Sequence, residues 1–118
     1  MKKLLLPAMV VLAGCSSTPG PGMSGPEVRA SAPLIYVKSA RQPDDITACL
    51  HERVFSVRES SIGSATEIAV GPRSSTVDWL ITLIPLGGGS IVKVQKSPNA
   101  SDDVPEPEMR FDIARCTT

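Results

Sequence analysis

The sequence predicts a small α+β domain: an antiparallel sheet of three to four strands, one or two helices packed against it, and one disulfide as a staple. Three observations lead there. Residues 76–84 alternate in character and are followed, across a glycine-rich turn, by a second alternating stretch at 91–96. Residues 43–54 carry apolar side chains at helical spacing instead. Cys49 and Cys116 form an even pair inside a domain too small to build a large core.

Each element follows from its own residues. At 32–38, Leu34, Ile35, Tyr36 and Val37 favour extended chain and predict a first strand. Pro43 suits the first position of a helix, and Asp44 and Asp45 then fall in the first turn, where carboxylates complement the dipole. Ile46, Cys49, Leu50, Arg53 and Val54 continue on one stripe, predicting a helix over 43–54. Short strands are expected at 55–58 and 65–70, bracketed by Gly63 and by Gly71 with Pro72.

Over 76–84, Val77, Trp79, Ile81 and Leu83 share one face, and the Trp face is expected to point inward. Leu80 and Ile84 share the other. If that face is open to solvent, it is apolar enough to mark an interface; if a helix covers it, both residues are core. Pro85 is expected to end this strand, with a loop longer than a two-residue turn before 91–96. The last segment, 108–116, favours a short helix because Glu108 and Arg115 suit its two ends, but a strand face through Met109, Phe111 and Ile113 stays open.

The chain begins MKKLLLPAMVVLAGCSST. Two lysines, a short uncharged run and small residues before a cysteine are the three parts of an export signal. The run is about ten residues, against about 20 needed to cross a bilayer. The stretch closely resembles the lipobox signal of bacterial membrane lipoproteins, with Leu12, Ala13 and Gly14 at the recognition positions and Cys15 at the lipidated one. The resemblance implies cleavage before Cys15 and acylation of that residue. Ser16, in place of an Asp, further implies the outer membrane, with the domain facing the periplasm.

On this reading residues 1–14 are a signal peptide, and residues 15–30 are the lipidated cysteine and a Ser/Gly/Pro-rich tether. Residues 31–118 are the periplasmic domain. Losing Lys2 and Lys3 takes the basic count from 12 to 10 against 12 acidic residues, a net charge near −2. Such a balance lacks the basic patch that nucleic acid requires. With Cys15 bonded to lipid, Cys49 and Cys116 have one intramolecular pairing left, and a disulfide between them is expected in an oxidising compartment. Two buried thiols or a redox couple are the alternatives, although the spacing is not C-x-x-C.

Catalytic chemistry has little to draw on. The single histidine, His51, lies off the apolar stripe beside Glu52 and lacks companions for a triad or a zinc site. Asp44–Asp45 and Asp102–Asp103 are adjacent pairs, which point apart on a helix or a strand. Gly87, Gly88 and Gly89 precede a strand and lack phosphate-loop spacing, and the acidic loop at 97–107 lacks the spacing of a calcium site. No catalytic residue, metal or cofactor is therefore assigned. Two classes of function remain. One is a lipid-anchored module that holds or assembles an envelope protein partner near the membrane, through a strand edge or through Leu80 and Ile84. The alternative is a structural or accessory surface lipoprotein, in a stress or competition pathway, without a dedicated partner site.

Overall fold

The computed structural model describes residues 25–72 and 76–118. Cys15, the recognition residues Leu12, Ala13 and Gly14, and most of the expected tether lie outside the described residues. The described chain runs α1 (Gly25–Arg29), β1 (Ile35–Ser39), α2 (Pro43–Arg53), β2 (Val57–Ile62), β3 (Ala65–Val70), β4 (Trp79–Leu86), β5 (Gly89–Lys96) and α3 (Glu106–Thr117). All five strands join one antiparallel sheet in the order β1-β5-β4-β3-β2.

The sheet is larger than the three to four strands expected. Both weak strand signals between residues 55 and 70 form full strands, paired from Val57↔Val70 to Ile62↔Ala65 around Gly63 at φ 60°. β2 reads VRESSI, mostly polar and exposed, which is the composition of an edge strand and hides it from a search for alternation.

β4 also runs further than Pro85. That residue lies opposite Ser90, and Leu86 pairs with Gly89 across a two-residue turn, Gly87-Gly88, both at positive φ (54° and 89°). This is the turn type whose twist suits a hairpin, in place of the longer loop expected. In such a hairpin Leu86 and Gly89 exchange hydrogen bonds and Pro85 and Ser90 do not, because the two kinds of pair alternate along an antiparallel ladder. A proline is tolerated at a position that asks for no donor toward its partner strand. Gly89 has a separate role: a Cβ there would collide with the backbone oxygen of Ser39, so β1 closes directly over it.

The helices α2 and α3 cover one face of the sheet. Pro43 opens α2 as expected, and the helix ends where Val54, in extended conformation, donates its N–H to the Leu50 oxygen (2.8 Å). The C-terminal segment resolves as helix. Its inward residues Met109, Ile113 and Cys116 are buried with Ile46 and Leu50 of α2 against Trp79, Ile81 and Leu83 of β4, so the Trp face is the inner one. Trp79 is fully buried, and its indole N–H donates to the Val104 oxygen at 3.0 Å. Cys49 and Cys116 are joined by a disulfide, with Cα atoms 5.6 Å apart, tying α2 to α3.

α1 occupies part of the opposite face, in a segment whose composition reads as tether. Only Val28 is apolar and buried, forming a second small core with Val77 and Leu80. Polar contacts hold the helix. Arg29 makes two hydrogen bonds to the Glu67 carboxylate (2.8 and 2.7 Å), and Gln95 donates to the backbone oxygens of Arg29 and Ser31. The carboxylate beside it holds the Arg29 guanidinium above its ordinary pKa.

Candidate functional site

Three surfaces of the domain have the chemistry to engage something else. The first is the outer face of the sheet, where the sequence makes Leu80 and Ile84 an interface if the face is open and core if a helix covers it. Leu80 is fully buried beneath α1 and belongs to the second core. Ile84 is half-buried four residues further along β4, paired with Ile91, which in turn pairs with Lys38. Tyr36, 60% exposed, stands opposite Lys93 on the same face, and Ile62 and Leu86 are exposed at the margin. The apolar surface therefore continues past α1, without Leu80.

The second surface is a cleft of about 230 Å³ lined by Phe55, Ser56, Pro72, Asp78, Asp103 and Val104, among others. Phe55 is 85% exposed, and Ser56 adopts φ 58°, a conformation that costs a non-glycine residue energy. Asp78, although buried, accepts a hydrogen bond from the Ser101 hydroxyl (2.5 Å). Its carboxylate is thus engaged inside the protein.

The third is a groove of about 390 Å³ along the edge of the sheet, between β1 and α3. Ile35 and Val37 form one wall, and Arg110, Ile113, Ala114 and Thr117 form the other. Val37 points to the helix side, opposite the buried Val92, yet is 39% exposed. The helical layer stops short of β1. Sequence reasoning missed this groove, although one signal was present: residues 34–37 are apolar on both faces, whereas an edge strand usually carries charge.

The remaining site residues can be placed. His51 is exposed on α2, with its Nε2 3.4 Å from a Glu59 carboxylate oxygen. Asp44 and Asp45 are exposed in the first turn of α2. Asp112, buried on α3, has its pKa raised by loss of solvent and by Glu108, with Arg53 pulling the other way. Among the described residues no group of three or more His, Cys, Asp or Glu side chains could hold a metal ion. No helix among them is long and apolar enough to cross a membrane. No protein-family model matches the chain, and no curated protein or solved structure matches it significantly.

Proposed function

We propose that this chain is a lipid-anchored, non-enzymatic protein of the bacterial envelope that holds a protein partner close to the outer membrane on its periplasmic side. One observation carries the reading: Lys2 and Lys3, a short apolar run, and then Leu12-Ala13-Gly14-Cys15 in lipobox order. Several acyl chains at one residue are what stable anchoring without a spanning helix requires.

The Cys49–Cys116 disulfide supports export, because such bonds persist in oxidising compartments. α1 packs on the same outer face of the sheet that carries Ile84 and Tyr36. That surface is the partner site in this reading.

Mass spectrometry of the protein extracted from membranes tests the anchor. The expected N-terminal residue is Cys15 carrying acyl mass; a chain beginning at Met1 with unmodified Cys15 would overturn the assignment. For the partner site, the comparison is affinity capture with the native chain and with Ile84→Glu. A partner held equally by both would remove Ile84 from the interface.

A further inference from the structure

We propose that the edge of β1, unpaired among the described residues, is a self-association site, at which a second copy of this chain pairs its own β1 antiparallel about a two-fold axis at Val37. The inference stands apart from lipid anchoring and holds wherever the protein resides.

It starts from the ladder. Because Leu86 and Gly89 are the hydrogen-bonded pair that closes the β4–β5 hairpin, alternation directs the backbone groups of Ser90, Val92 and Val94 toward β1. Their partners Ser39, Val37 and Ile35 are thereby engaged inside the sheet. The N–H and C=O groups of Tyr36 and Lys38 face outward, a template for another strand.

Residue chemistry selects the occupant and the register. An axis at Val37 pairs all five residues of β1 with the second copy. Val37 meets Val37 on the helix side, and Tyr36 stands beside Lys38 on the outer face, an aromatic ring against a cation. An axis at Lys38 would oppose like charges. An axis at Tyr36 would need the Leu34 N–H, which already donates to the Val94 oxygen at 2.7 Å.

The helices agree with this register. α3 runs alongside β1 in the same direction: Glu106 near its start is 3.7 Å from Lys96, and Thr117 near its end accepts a hydrogen bond from Ser39. A two-fold at Val37 therefore brings the two α3 helices together antiparallel near Ala114, the small residue of the groove wall. Arg110 of each copy then faces the C-terminal turn of the other, where the helix dipole favours a cation. The paired grooves close over Ile35 and Val37, which one copy leaves partly open. The sheet becomes ten-stranded, with both α1 helices on the same side.

The test uses the full chain with Cys15→Ser, so that residue 15 contributes no thiol. Val37→Cys places the two new thiols at a non-hydrogen-bonded pair, where Cα atoms lie about 4.5 Å apart and a disulfide can close. Mild oxidation is expected to yield a covalent dimer on non-reducing gels, well above the yield from Glu52→Cys on α2. Lys38→Pro removes an outward N–H while sparing the bonds to β5. It is expected to weaken dimerisation about tenfold or more in sedimentation, from one backbone hydrogen bond lost per copy, with the thermal midpoint of the monomer preserved. A Cys15→Ser chain, otherwise unchanged, that sediments as a monomer at about 100 µM, where any dimer with a micromolar dissociation constant would be almost fully formed, overturns the proposal. So does a Val37→Cys dimer no more abundant than the Glu52→Cys control.

Discussion

Replacing both Cys49 and Cys116 by Ala isolates what the staple contributes. The two residues lie 67 apart in sequence, and loop closure over that length restricts the unfolded chain by about 4 kcal/mol on the chain-entropy account. Cys116 is fully buried, so its truncation adds a small void, a further cost of roughly 1 kcal/mol. A domain of this size is stable by about 5–10 kcal/mol in all, so the staple supplies a large share. Trp79 provides the readout, because the only tryptophan is fully buried when folded and meets water when the chain opens. With a urea dependence of about 1 kcal/mol per molar, the two costs together should lower the fluorescence midpoint by about 5 M. Dithiothreitol acting on the native chain should produce nearly the same fall. A double variant whose midpoint moves by less than about 1 M would refute the account, since the helices would then be held by packing alone.

Other consequences can be measured on the same transition. Gly89→Ala forces a methyl group against the Ser39 backbone and should destabilise the domain by about 1–3 kcal/mol, with β1 amides losing protection from hydrogen exchange first. Arg29→Ala leaves the Glu67 carboxylate buried without its partner, at a cost of roughly 1–3 kcal/mol, and exchange should rise around α1 before the sheet opens. Asp112 has a raised pKa in the folded state, so its favourable contribution is complete below the unfolded value and is lost as pH rises through the folded one. Asp112→Asn should therefore remove a decline in stability between acid and neutral pH, and a thermal midpoint that declines with pH just as steeply in the variant would contradict that cause.

Elements governed by local chemistry were legible in the sequence. Pro43 with Asp44 and Asp45 announces α2, and the alternation from Val77 to Leu83 identifies both the strand and its inner face. The disulfide followed from counting cysteines once Cys15 was set aside. Features built by distant contacts were not legible. α1 has one buried apolar side chain and depends on Glu67 and Gln95, 38 and 66 residues beyond Arg29, so its composition resembles a linker. β2 is polar because it sits at an edge, and Pro85 continues a strand because its ladder position needs no donor. The burial of Leu80 follows from α1 and was equally hidden, while the groove beside β1 exists because α3 stops short of the edge.

The bond between Cys49 and Cys116 closes a covalent ring that contains β2, β3, β4, β5 and most of α3. A protease that nicks an exposed connection inside this ring, such as the proline-rich stretch after Asn99, cannot release a fragment. Both new ends stay attached through sulfur, and the clipped chain migrates intact until a reductant is added. The staple therefore confers tolerance of backbone damage as well as stability, a useful property for a small protein exposed to proteolysis.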